Sequence, residues 1–180
     1  MNFKIDILAV LVFIQFSFCQ AITNTTFSQN SSKFIEKIPF RIPLYKKDII
    51  KISSFFGYRI HPLLKKKKMH KGIDFVAMKG TPVMASAHGK VEKASVNSAY
   101  GQYIIINHNN VFKTLYAHLS QINVKENQVV KAYQLIGEVG STGLSTGYHL
   151  HYETYYRDEV INPKILWKLK LIADRQKKIK

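Results

Sequence analysis

Tyr148-His149-Leu150-His151-Tyr152-Glu153 is the stretch on which the reading of the chain turns. Extended backbone sends successive side chains to opposite faces, so His149 and His151 project together while Leu150 and Tyr152 take the reverse side. Such a segment is a strand with one apolar and one chemically active face. Runs of similar character precede it: Gly72 to Val76, Pro82 to Ala87, Gly89 to Ser95, Tyr103 to Asn107, Phe112 to Tyr116 and Leu135 to Val139. They are short, rich in Val, Ile, Tyr and Phe, and separated by Gly, Asn, Pro and Lys. His149 to Tyr156 completes the set. No helical period holds between them, which predicts an all-β, mainly antiparallel domain of compact sandwich or barrel-like build. Asn109-Asn110 suits a tight turn, because Asn tolerates the left-handed conformation. Only the end, from Pro163 to about Lys170, predicts a short helix, with Ile165, Leu166 and Leu169 as its apolar stripe.

The chain has 180 residues, room for one domain with a real core. Lys4, an apolar run from Ile7 to Phe18 and small residues up to Ala21 read as a secretory signal over residues 1–21, with an uncleaved anchor as the alternative. A polar linker and an N-terminal arm containing Pro39 and Pro43 fill residues 22–52, the domain is expected over 53–162, and a basic tail over 163–180. Cys19 is the only cysteine, so removal of the signal leaves neither thiol nor disulfide, and the expectation of export rests on the signal alone. The net charge is +16 and survives that removal, because Lys4 and Asp6 cancel. Much of it lies in Lys65-Lys66-Lys67-Lys68 and in the tail. Such a charge asks for anionic partners, and for an exported, periplasmic or extracellular monomer an acidic envelope fits better than nucleic acid.

Two histidines on one strand do not complete a catalytic zinc centre, which takes three protein ligands and keeps a fourth position open. His70 and Asp74 offer more donors. They are four apart, with Gly72 between them to permit close approach, and on one strand that spacing puts both on one face. With His151 they make two imidazoles and one carboxylate, leaving a net positive metal able to polarise a carbonyl and activate water. His118 and His149 remain as the pair that moves protons and stabilises charge.

His70-Lys71-Gly72-Ile73-Asp74, Tyr116-Ala117-His118-Leu119 and His149-Leu150-His151, in that order, resemble the signature of the lysostaphin and LytM type zinc metallopeptidases, peptidase family M23. Phe56-Gly57-Tyr58-Arg59, Gly80-Thr81-Pro82-Val83 and the run from Gly140 to Gly147 extend the likeness. The resemblance implies one zinc ion held by His70, Asp74 and His151, with His118 and His149 as catalytic histidines. It implies hydrolysis of peptidoglycan peptides, and it puts Arg59 and His61 near the groove rim, as substrate contacts or, in the alternative, as structural hydrogen-bonding residues. Asn127 and Tyr133 stand where the family pattern expects glycine, which puts the turn at bulky Tyr133 in question. Lys65 to Lys68, on the loop before His70, is expected either to meet an anionic substrate or to be a plain solvated loop. His88 and His108 read as structural, and Tyr116 and Tyr148 as packing residues. The Gly140 to Gly147 run lacks the Gly-Lys-Ser ending of a phosphate loop and reads as a flexible groove wall. The leading function is a zinc endopeptidase. The alternative is a non-enzymatic regulator of wall hydrolases, and a charge-driven surface binder comes third.

Overall fold

The structure is a computed structural model that describes residues 34–60 and 65–178. The expected signal (1–21), the linker to residue 33, and His61 lie outside the described residues.

Among the described residues, twelve strands and a C-terminal helix follow in order: β1 (Lys51–Ser54), β2 (Gly57–Ile60), β3 (Lys67–His70), β4 (Gly72–Val76), β5 (Pro82–Met84), β6 (Gly89–Asn97), β7 (Gly101–Asn107), β8 (Phe112–Ile122), β9 (Val129–Val130), β10 (Leu135–Val139), β11 (His149–Tyr156), β12 (Glu159–Ile161) and α1 (Pro163–Lys178). Here β2 and β3 form a separate ribbon, and the rest make a 10-stranded sheet in the order β1-β4-β11-β8-β7-β6-β9, with β10, β5 and β12 branching from it. Neighbouring strands in the sheet run antiparallel, as the alternating pattern predicts.

β11 lies in the middle of this sheet, between β4 and β8. Its Leu150 and Tyr152 face a buried core with Ile73 and Phe75 of β4, Ile104 and Ile106 of β7, and Tyr116 and Leu119 of β8. Fully burying each large apolar side chain contributes about 1.5–3 kcal/mol, so this face holds the sheet together. The reverse face carries His149, His151 and Glu153, with Ala117, Leu115 and Tyr103 packed behind them.

Several expectations change at the edges. The sheet takes in Lys51 and Ile52, ahead of the expected boundary at Ser53, because β1 pairs with β4. The arm before it is tied on by Ile38 and Leu44, both buried, and by the Met84 amide, which donates to the Pro43 carbonyl at 2.8 Å. α1 continues past Lys170 to Lys178, and its first turns are no free tail: Leu166 is buried, and the Trp167 ring sits 6.0 Å from that of Phe75 and 6.1 Å from that of Tyr152. The β7–β8 turn forms as predicted, with Asn110 at φ +60° and the Asn109 side chain accepting from the amides of Val111 and Phe112. Asn127 and Tyr133 both adopt positive φ. The turn at Tyr133 keeps the glycine-like geometry despite the larger residue, with the Arg41 guanidinium 5.1 Å above the ring.

Candidate active site

The register of β4 against β11 builds the floor. His151 lies directly opposite Asp74 and His149 opposite Val76, so side chains of paired residues leave the same face of the sheet. Close packing is required here: a Cβ at Gly72 would come 2.3 Å from the Tyr152 carbonyl oxygen and 3.0 Å from the His151 ring. His70 arrives differently from the sequence expectation. It ends β3, whereas Asp74 lies in β4, so the two share no strand and the chain turns between them at Lys71.

The three donors nonetheless meet. His70 Nε2 is 3.1 Å from Asp74 Oδ1 and 3.1 Å from His151 Nδ1, and the last two are 2.7 Å apart. All three residues are buried. The outer nitrogens fix the tautomers, since His70 Nδ1–H donates to the Phe55 carbonyl at 2.8 Å and His151 Nε2–H to the Glu153 carboxylate at 2.9 Å. Lone pairs therefore face inward from both rings towards a carboxylate oxygen. With both rings neutral, three such atoms at this distance repel one another, so the point takes positive charge, either a proton shared between a ring and Asp74 or a metal cation among all three. A tetrahedral zinc ion with bonds of about 2.0–2.1 Å separates its ligand atoms by about 3.3 Å. The cluster fits it with slight expansion.

Electrostatics agree. Burial alone would raise the Asp74 carboxyl, yet hydrogen bonds and charge from His151 and His70 hold it well below the usual carboxylate range. Burial likewise disfavours a charged His151, but Asp74 and Glu153 outweigh it and push the ring up to about 9. Both shifts state that positive charge is favoured at this point.

Glu153 belongs to this site as well, sharing the face of His149 and His151 by simple alternation, although the motif reading passes over it. Its carboxylate is fully enclosed and accepts from His151, from the Tyr100 hydroxyl at 3.0 Å and from the Tyr155 hydroxyl at short range. Burial and the Glu153 charge raise both phenols, so they remain donors. A carboxylate behind a metal-facing histidine fixes its ring and raises its basicity.

His118 owes its place to a bulge. Gln102 pairs with Leu119 and Ile104 with Tyr116, so Ala117 and His118 together oppose Tyr103. Strict alternation would send His118 to the core beside Tyr116. The extra residue, with His118 at φ +62°, brings it back to the face of Ala117. A non-glycine residue held in that conformation costs about 1–3 kcal/mol and is found where the surroundings require it. Burial pushes its imidazole down to about 4, against the Thr142 hydrogen bond.

One loop aims both remaining histidines. The Thr142 carbonyl accepts from His118 Nδ1 at 2.8 Å, and the Gly147 carbonyl accepts from His149 Nδ1 at 2.8 Å. Each ring is left with Nε2 towards the cleft, and the ring centres are 4.7 Å apart. The loop is less free than its glycines suggest. Thr142 Oγ1 accepts from the Gln102 amide and donates to the Leu119 carbonyl, and Gly143, at φ +71°, packs so tightly on Gly101 that a Cβ would come 2.2 Å from its amide nitrogen.

These groups line a cleft of about 610 Å³. Arg59 borders it and is bound to Asp74 Oδ2 through Nη2 at 3.3 Å, so it touches a metal-capable carboxylate as well as the open space. Tyr116 is core, as expected. Tyr148 is 52% exposed and lines the cleft instead of packing. His108 is buried between the His88 carbonyl and Thr114 Oγ1, a structural residue.

An antiparallel sheet that gathers three metal-capable donors and two further histidines on the floor of one cleft has the build of a metallopeptidase. The sequence pattern of Peptidase family M23 matches residues 68–163, and the chain belongs to that family. It is 41% identical over 143 residues to the peptidoglycan DD-endopeptidase ShyC of Vibrio cholerae, a match covering 79% of this chain and 32% of the relative. A zinc containing peptidase from Vibrio cholerae superposes with a TM-score of 0.64 at 39% identity, over 68% of this chain and 38% of that one. The catalytic domain of lysostaphin from Staphylococcus simulans superposes with a TM-score of 0.58 at 35% identity, over 66% of this chain and 92% of that one. The chain spans between about a quarter and a third of the length of the curated relatives it matches.

Proposed function

We propose that the chain is a zinc-dependent endopeptidase that hydrolyses a peptide bond in the stem or cross-link of bacterial peptidoglycan. The observation that carries this reading is the convergence of His70 Nε2, Asp74 Oδ1 and His151 Nδ1 beside two histidines whose Nε2 atoms face the same cleft. The names of the Vibrio cholerae relatives, a peptidoglycan DD-endopeptidase and a zinc containing peptidase, support substrate and metal.

His70, Asp74 and His151 would hold the ion. When bound, zinc supplies Lewis acidity that polarises a carbonyl and lowers the pKa of water. The remaining work belongs to the chain. Glu153 keeps the His151 ring in the tautomer that offers Nδ1, and the Phe55 carbonyl does the same for Nε2 of His70. His118 and His149, each with Nδ1–H tied to a carbonyl, divide the proton traffic at Nε2. One accepts a proton as water adds to the peptide carbon; the other, when protonated, donates to the developing oxyanion. Cleavage of the C–N bond sends the proton taken from water to the departing nitrogen, and loss of the remaining hydroxyl proton to the amine leaves a carboxylate and an ammonium group. Arg59, which borders the cleft, is a substrate contact, and the resemblance assigns the same role to His61.

The reading puts the activity outside the cytoplasm, with residues 1–21 as the export signal and the basic segments holding a monomer against an anionic envelope. It involves no nucleic acid. A non-enzymatic regulator is the second reading, and the complete donor set opposes it. The test is digestion of purified peptidoglycan by the full chain, with fragments read by mass. Release that stops with a chelator and returns with zinc supports the proposal. A folded, zinc-loaded protein that releases nothing from several wall types contradicts it.

A further inference from the structure

The lysine run before His70 is sorted by the hairpin. Across β2 and β3, Arg59 pairs with Lys68, Tyr58 with Met69 and Ile60 with Lys67. Alternation therefore puts Arg59 and Lys68 on one face and Lys67 on the other with Tyr58 and Ile60. For the charged residues the contacts agree: Arg59 and Lys68 line the cleft together with Lys71 and the neutral Met69, whereas the Lys67 ammonium lies 5.7 Å over the exposed Tyr58 ring. Of the residues expected to meet substrate as one basic loop, Lys67 is turned away.

The cleft is unequal in charge. Its other lining segment, Leu144 to Tyr148, is neutral. The carboxylates in the lining, Asp74 and Glu153, are buried and already engaged by His70, His151, Arg59 and two tyrosines. Arg59 is held by Asp74. Lys68 and Lys71, both exposed, have no side-chain hydrogen bond or ion pair among the described residues. Two free ammonium groups at the edge of a site whose residues would also hold a metal cation favour an anion, and a flexible lysine pair suits a single carboxylate on a mobile ligand.

Resting on the endopeptidase reading, we infer that Lys68 and Lys71 form a carboxylate-recognition subsite, so the cleft selects peptides bearing a free carboxylate beside the bond that is cut. Neutral peptides fit the same catalytic floor but leave both ammonium groups in water. The pair determines specificity and takes no part in the chemical step.

Purified peptidoglycan before and after conversion of its free carboxylates to amides, by carbodiimide and ammonia, tests this whichever bond is cut. The zinc-loaded full chain, the Lys68→Gln/Lys71→Gln variant and a Lys67→Gln control are each assayed at limiting substrate on both walls. Amidation is expected to slow the wild type and Lys67→Gln about tenfold, the effect of about one charge-assisted contact. The double variant should be slowed about as much on the untreated wall and should lose little more on the amidated one, which is the non-additivity expected of groups in contact. Equal digestion of both walls by the wild type, or additive losses in the variant, overturns the subsite and leaves the endopeptidase intact. No digestion of either wall by the wild type overturns both.

Discussion

Two buried histidine clusters are built against the same sheet and do opposite things. Around His108, donors and acceptors alternate: Nδ1–H donates to the His88 carbonyl, Nε2 faces the Thr114 hydroxyl, and Thr114 continues to Tyr116 and Ser86. Around His151 the inward atoms are all electron-pair donors, and the matching N–H groups point outward to Phe55 and Glu153. A cluster that satisfies itself is structural; one that aims only lone pairs at a point asks for a cation. The same contrast appears in protonation. Burial takes His108 down to about 4, while the carboxylates beside His151 push it up to about 9 despite similar enclosure.

Substitution should separate the two clusters most sharply at the metal. His151→Ala or Asp74→Ala is expected to abolish stoichiometric zinc and lower peptide release on the order of 10³-fold or more, whereas His108→Ala retains one zinc per chain, as metal analysis of the purified proteins would reveal. Next come His118→Gln and His149→Gln, which should keep the metal and lose about 10²–10⁴ in rate, the range for removal of a general acid or base. Loss of zinc from either would place that residue among the ligands. Glu153→Gln has a smaller effect, a fall of about 10–100-fold in zinc affinity by chelator competition; an unchanged affinity would remove its role behind His151.

The effect smallest on zinc and peptide release belongs to the structural cluster and is read in stability. His108 goes from an ordinary 6.5 to about 4 on folding. Between those values the unfolded chain holds a proton that the folded chain does not, so stability falls as pH drops through this window and is fully present above it. The contribution is on the order of 3 kcal/mol. Denaturant titrations of wild type and His108→Gln between pH 4 and 7 check it: the variant should be less stable at pH 7 and less dependent on pH, and parallel curves would count against the assignment.

Period-two alternation carried much of this in the sequence. The strands from Gly72 to Val76, Leu135 to Val139 and His149 to Tyr156 have the boundaries their patterns indicate, because buried faces impose register. His149 and His151 share a face for the same reason. The β2–β3 ribbon was hidden, since a lysine-rich strand lacks the apolar signature and Lys67 and Lys68 read as loop. The bulge at His118 was hidden too, because an inserted residue leaves no trace in composition and only the pairing of Tyr103 against two residues reveals it. Thr142 and Gly147 act through backbone carbonyls, which no side-chain pattern reports. Glu153 was legible by alternation alone; what sequence could not supply was its depth of burial and the two tyrosines that surround it.

Diffraction from crystals of the zinc-soaked full chain, measured on both sides of the zinc absorption edge, tests the central claim most directly. An anomalous peak in bonding contact with His70 Nε2, Asp74 Oδ1 and His151 Nδ1, and not with His118 or His149, is the predicted result. A peak bound to His118 or His149, or none at the His70–Asp74–His151 cluster in a fully loaded crystal, would contradict it.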